Sequence, residues 1–170
     1  MKRIFTLLLL TVIATGTLLG SNDNNNGKNI KYEGSVSPAL LLMGYSIHTS
    51  HGVKFEKENV YIGGSLEYMH MWVNSLNLAA HAKVYIPSSK GLQCVIGLEV
   101  GGMFPVSGSN YQSEGGTGNY QFNRITYILS PSIGLGYGFH NDMGIELSIK
   151  CAFFDMNELP IPGIYITYRF

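Results

Sequence analysis

The sequence predicts an all-β fold, an eight-stranded antiparallel up-and-down transmembrane β-barrel. Three observations predict it. From residue 30 onward apolar residues recur with a period of two, and no stretch holds the apolar stripe of a helix. The opposite strand faces carry few charges, of balanced sign, set among Gly, Ser and Ala. Tight turns on one side of the runs face longer connections on the other.

Composition narrows the class. Charged residues make up 13% of the 170, about half the usual share of roughly 25%. Such a chain is not a disordered acidic or basic protein. Lys plus Arg equals Asp plus Glu at 11 each, so there is no basic excess and no nucleic-acid partner is expected. The 21 glycines and 12% aromatic residues suit a β chain whose surface does not all meet water.

Residues 1–20 read as a signal peptide. Met1-Lys2-Arg3 is a cationic start, Ile4 to Ile13 is apolar apart from Thr6 and Thr11, and small residues follow at Ala14, Gly16 and Gly20. Cleavage after Gly16 and cleavage after Gly20 both fit. The run is too short for a membrane helix, which needs about 20 apolar residues. Residues 21–29 form a polar, Asn-rich linker, and residues 30–170 form the barrel. Beyond residue 20 the longest apolar run is Ala39-Leu40-Leu41-Leu42-Met43, so a membrane could be crossed only by a closed barrel.

Eight strands are expected, at about 31–43, 45–56, 59–72, 75–87, 92–104, 121–139, 143–154 and 161–170. The first three place Glu33, Lys54 and Glu67 on the polar face, with His48, Ser50 and Gly52 beside Lys54. The fourth sets Leu76, Leu78, Ala80, Ala82, Val84 and Ile86 against Asn77, Ala79, His81, Lys83 and Tyr85. The fifth opposes Leu92, Cys94, Ile96, Leu98 and Val100 to Gln93, Val95, Gly97, Glu99 and Gly101. In the sixth, Leu129, Ile133, Leu135, Tyr137 and Phe139 oppose Ser130, Ser132, Gly134, Gly136 and Gly138. The seventh alternates most cleanly: Met143, Ile145, Leu147, Ile149, Cys151 and Phe153 against Gly144, Glu146, Ser148, Lys150 and Ala152. The eighth sets Ile164, Ile166, Tyr168 and Phe170 against Gly163, Tyr165, Thr167 and Arg169.

Alternation alone leaves open which face points inward. The polar face decides. It carries Glu33, Glu67, Glu99 and Glu146 against Lys54, Lys83, Lys150 and Arg169, four acids and four bases among small residues. A narrow lumen requires such a set, because buried charges are tolerated only when paired. Neighbouring strands suggest Glu67 with Lys83 and Glu146 with Arg169. The turns at Lys57-Glu58, Ser88-Ser89-Lys90-Gly91 and His140-Asn141-Asp142 are tight, whereas 105–120 and 155–160 are longer; the connections around Gly44 and Val73-Asn74 are short exceptions. Tyr45, Phe55, Trp72, Phe104, Tyr137, Phe139, Phe153, Tyr168 and Phe170 fall near strand ends, where a bilayer interface favours aromatic girdles.

The segment Ile164-Tyr165-Ile166-Thr167-Tyr168-Arg169-Phe170 resembles the C-terminal signature of bacterial outer-membrane proteins. The phrases His51-Gly52-Val53-Lys54-Phe55, Tyr61-Ile62-Gly63-Gly64-Ser65-Leu66-Glu67-Tyr68 and Ser130-Pro131-Ser132-Ile133-Gly134 are similar to those of small Gram-negative outer-membrane barrels of the OmpX/OmpA-like class. This resemblance implies an outer-membrane location. It also implies that Phe170, with Tyr168, Ile166 and Ile164, forms the signal read by the barrel-assembly machinery. The expected role is structural or surface interaction by a monomer whose lumen is closed to bulk diffusion, with outer-membrane lipid and an unidentified extracellular ligand as further partners.

Two rival functions are weighed. His48, Ser50 and Glu67 supply the residue types of a hydrolytic triad, as in lipid A deacylases, but inward-facing groups would not meet a lipid ester. The other rival is a soluble periplasmic barrel carrying an apolar ligand. No catalysis, no cofactor and no metal site are expected, since no His, Cys or carboxylate spacing matches a metal motif. The glycines form no phosphate loop. Cys94 and Cys151 lie in the fifth and seventh strands with the sixth between them. Two strand spacings, about 9–10 Å, exceed disulfide reach, and free thiols are expected. His51 falls on the apolar face unless a bulge at Gly52 shifts the register.

Overall fold

Each alternating run becomes one strand. The computed structural model describes residues 30–71, 74–89, 91–106, 125–139, 143–154 and 160–170. In order the strands are β1 (Ile30–Leu41), β2 (Gly44–Phe55), β3 (Val60–His70), β4 (Asn74–Ser89), β5 (Leu92–Pro105), β6 (Thr126–Gly138), β7 (Gly144–Phe154) and β8 (Ile161–Arg169). The signal peptide, the linker, Trp72, the turn at 140–142, most of the 105–120 loop and residues 155–159 lie outside the described residues.

Every strand pairs antiparallel with the next, and β8 returns to β1, so the sheet is a closed barrel without edges. The closing seam pairs Ser35 with Arg169 and Leu41 with Gly163. It is completed by Gly34 N–H to Phe170 O at 2.8 Å and Phe170 N–H to Gly34 O at 2.9 Å. Among the described residues no helix is long and apolar enough to cross a membrane.

Turn chemistry fixes the end that holds the first and last strand ends. Asn59 closes the β2–β3 turn at φ 53°, a left-handed conformation that Asn tolerates, and its carbonyl accepts from Tyr85 N–H at 2.8 Å. Gly91 takes φ 85° between β4 and β5, where a side chain would also press on Tyr137. At the other end the β1–β2 turn is only Leu42-Met43, both exposed.

The apolar faces point outward. Leu40, Ile62, Leu135, Leu147, Ile149 and Ile164 are each more than half exposed, while Glu67, Lys83, Glu99, Glu146, Lys150 and Arg169 are buried inside. This is the reverse of a water-soluble globule, and it repeats on all eight strands. At the turn end Tyr137, Phe139, Tyr168 and Phe170 are exposed on the outer wall, as are Tyr45 and Tyr127 at the loop end. Phe55, Phe104 and Phe153 are half-buried.

The lumen departs from the expected uniform mixture of charges and small residues, because its loop end is apolar. Ala39, Leu41, Met69, Met103, Ile128, Ala152, Phe154 and Tyr165 pack there as one cluster. A second, smaller cluster of Tyr61, Tyr85 and Val95 lies toward the turn end. Charge occupies the space between and around them.

Candidate functional site in the lumen

The lumen is built from alternate residues of tilted strands, and its narrowness brings opposite walls into contact. Lys150 of β7 donates to Glu67 Oε2 of β3 and to Glu99 Oε2 of β5, each at 3.0 Å. Its ammonium also lies 4.3 Å from the Tyr165 ring centre. Glu67 is further held by Ser46 Oγ at 2.7 Å and Tyr165 Oη at 2.6 Å, both donating to Oε1. This carboxylate is therefore fully satisfied although buried.

Lys83 of β4 faces Glu146 of β7 at 3.6 Å. Nearer the turn end Lys54 approaches Glu33 at 3.8 Å, and Tyr85 Oη donates to the same carboxylate. With its carboxamide oriented to satisfy both groups, Gln93 accepts from Arg169 Nη2 and Nη1 at 2.5 and 2.7 Å. Arg169 also lies over the Tyr85 ring, 5.1 Å from its centre.

The eight expected residues thus all line the lumen, but the adjacent-strand pairs require correction. Glu67 meets Lys150 instead of Lys83, and Glu146 meets Lys83 instead of Arg169. The register explains why. Glu67 stands opposite Asn77, and Lys83 opposite Tyr61, so these two side chains are offset along their strands. These two pairs lie across the barrel, whereas Lys54 and Glu33 come from the neighbouring strands β2 and β1.

Two histidines converge on Glu99 where no sequence spacing pointed. His48 of β2, His81 of β4 and Glu99 of β5 bring their ligating atoms within 4.8 Å of one another, all buried. His48 Nε2 lies 2.7 Å and His81 Nδ1 3.4 Å from the same Glu99 Oε1. The two imidazoles are edge-on, with centres 5.6 Å apart and planes at 78°. A void of about 20 Å³ adjoins them, lined also by Ser132, Ser148 and Tyr165. The signal available was that His48, His81 and Glu99 share the inward parity of their strands; only the fold shows that they meet.

The hydrolytic set does not assemble. Ser50 Oγ bonds to Ser35 Oγ at 2.7 Å, His48 faces Glu99, and Glu67 is engaged by Ser46, Tyr165 and Lys150. Cys94 and Cys151 are free.

His51 is on the outer wall, and the pairing of β2 with both neighbours runs unbroken through Gly52, so there is no bulge. Its ring is instead satisfied locally, with Nδ1 2.5 Å from Tyr32 Oη and Nε2 3.1 Å from Thr49 Oγ1. His70 Nδ1 lies 2.5 Å from Asn74 Oδ1 at the loop end. At the closing seam Phe170, Tyr168, Ile166 and Ile164 all face outward, and the Phe170 and Tyr168 rings lie 6.2 Å apart.

No protein-family model matches the chain, and no curated protein matches it. Solved structures do. The N-terminal β-barrel domain of Pseudomonas aeruginosa OprF superposes with TM-score 0.63 at 16% identity, over 85% of this chain and all of that one. Neisserial surface protein A aligns with TM-score 0.49 at 9% identity, covering 82% of this chain and 92% of that one. Yersinia pestis outer membrane protein Ail aligns with TM-score 0.48 at 13% identity, covering 82% and 98%. The closed sheet, its antiparallel order and the OprF superposition together establish that this chain has the eight-stranded β-barrel fold of that domain.

Proposed function

We propose that the protein is a monomeric integral barrel of the outer membrane, with a structural or surface-interaction role and no catalytic activity. The observation that carries this reading is the inverted polarity of the wall: a belt of exposed Ile, Leu and Val outside, and a buried, charge-balanced interior. In water such a wall would be a large association-prone surface. In a bilayer it is solvated by lipid, and the closed sheet presents no open edge to the hydrocarbon. The aromatic rings at both ends of the barrel wall support the same placement.

The apolar cluster at the loop end and the cross-lumen ion pairs support a lumen closed to bulk diffusion. Residues 1–20 would then serve as the export signal, residues 21–29 as a linker, and Phe170 with Tyr168, Ile166 and Ile164 as the segment read by the barrel-assembly machinery. An extracellular ligand would meet the loops. The test is electrophoresis of detergent-purified protein, unheated against boiled. A folded barrel migrates anomalously until boiled. Protein that stays soluble without detergent and shows no heat shift overturns the reading.

A further inference from the structure

The lumen holds a feature that a purely structural salt-bridge network does not need. His48 Nε2 and His81 Nδ1 both lie close to Glu99 Oε1, at 2.7 and 3.4 Å, yet among the described residues neither nitrogen has a well-aligned hydrogen-bond partner. Both histidines are about 4% exposed. Buried polar nitrogens normally find partners, because leaving one unsatisfied is costly. Three electron-pair donors gathered within 4.8 Å of one another, without aligned N–H···O bonds, form a set that a cation between them would complete.

We propose that His48, His81 and Glu99 form a binding site for a single divalent transition-metal ion of the zinc class. The spacing suits it. Zinc–ligand bonds of about 2.0–2.2 Å place tetrahedral ligands about 3.4 Å apart. The separations are 2.7 and 3.4 Å, with all three atoms inside 4.8 Å, so small side-chain rotations reach that geometry. Two imidazoles and one carboxylate favour zinc, cobalt, nickel or copper over magnesium or calcium, which prefer oxygen. The adjoining void of about 20 Å³ accommodates one water as the fourth ligand.

The surroundings fit as well. Lys150 holds Glu99 by its other oxygen, Oε2, leaving Oε1 free to ligate, which is the kind of outer contact that orients metal ligands. Glu67 and Glu99 share the one ammonium of Lys150, while Lys83 and Glu146 balance each other. This level of the lumen therefore carries one excess negative charge when both histidines are neutral, and a cation relieves it. With three strands each contributing a ligand, the ion would tie β2, β4 and β5 together as a structural centre, and its binding would release any proton carried by the ligands.

The test uses the full chain refolded in detergent micelles, with the folded state confirmed by heat-dependent mobility. After removal of metal by a chelator it is titrated with Co²⁺. The expected result is saturation at a single equivalent with the visible bands of a tetrahedral nitrogen–oxygen site, displacement by Zn²⁺, and a higher urea midpoint in Zn²⁺ than in chelator. His48→Asn and His81→Asn should each weaken binding by more than about 100-fold, and Lys150→Gln by about 10–100-fold. Ser132→Ala, in the wall of the same void, should bind as the wild type does. A folded wild type that takes up no Co²⁺, or histidine variants of unchanged affinity, overturns the proposal. Where a histidine variant does not fold, the wild-type urea midpoint decides, and its failure to rise at saturating Zn²⁺ overturns the site. None of these outcomes depends on where the barrel resides.

Discussion

Replacing Lys150 by Met takes one cation out of the middle of the lumen and leaves two carboxylates facing each other. The lysine is buried, and its ammonium is 3.0 Å from both Glu67 Oε2 and Glu99 Oε2. At an effective dielectric of about 20, each contact has a Coulomb energy of roughly 5–6 kcal/mol. The cost of burying the ions offsets most of it, so the pair as a whole adds little net stability. Breaking it is a different matter, because both acids stay buried without their counter-ion. The expected loss is about 3–5 kcal/mol. Glu67→Gln alone should be milder, since Lys150 keeps Glu99. Combining the two substitutions should recover part of the Lys150→Met loss, with a coupling energy of about 0.5–3 kcal/mol. The assay is reversible urea unfolding in detergent micelles with chelator present, followed by electrophoretic mobility. A loss below about 1 kcal/mol for Lys150→Met would mean that water reaches these groups, and the argument that they are buried and depend on one another would fall.

Other perturbations probe the wall and the seam. Ile149, 55% exposed on the outer wall, should tolerate Ala but lose about 2–4 kcal/mol as Ile149→Lys in lipid vesicles; equal folded fractions for the two variants would reject the lipid-facing assignment. Gly134→Ala should cost about 1–3 kcal/mol, because the added carbon would lie 2.6 Å from Ser148 Cβ and 2.7 Å from Leu147 O. Ser148→Gly should relieve only the first contact, so urea midpoints that show no rescue in the double variant would contradict the packing argument. Phe170→Ala should lower outer-membrane yield more than it lowers urea stability; parallel falls in both would reduce the residue to a packing role against Gly34 and Tyr168.

Much of this molecule could be read from its residues. Period two fixed each strand and its faces, because a one-residue slip would have turned Glu99 or Lys150 into lipid. The interior set followed from parity and charge balance. Pairing did not, since strand tilt and closure decide which groups meet across the lumen, and neither is local. Lys83 and Glu146 lie on strands separated by two others, and His48, His81 and Glu99 come from three strands. The apolar loop-end cluster escaped for another reason. Met69, Met103 and Phe154 stand at strand ends on the inward parity, where they look like residues leaving the alternation. His51 was misleading in the opposite way: a polar ring on the lipid face needs no bulge when Tyr32 and Thr49 satisfy both nitrogens.

The two-residue connection Leu42-Met43 bears on how the cell surface would encounter this barrel. Its side chains are 71% and 48% exposed and apolar, whereas the sequence puts residues 107–124, outside the described residues, between β5 and β6. In a bilayer, the β1–β2 corner would sit level with the lipid headgroups and offer nothing to grasp from outside. An epitope tag spliced between Leu42 and Met43 would have to drag an apolar corner out of the membrane, while the same tag within 107–124 would only lengthen a connection that is already many residues longer than this one.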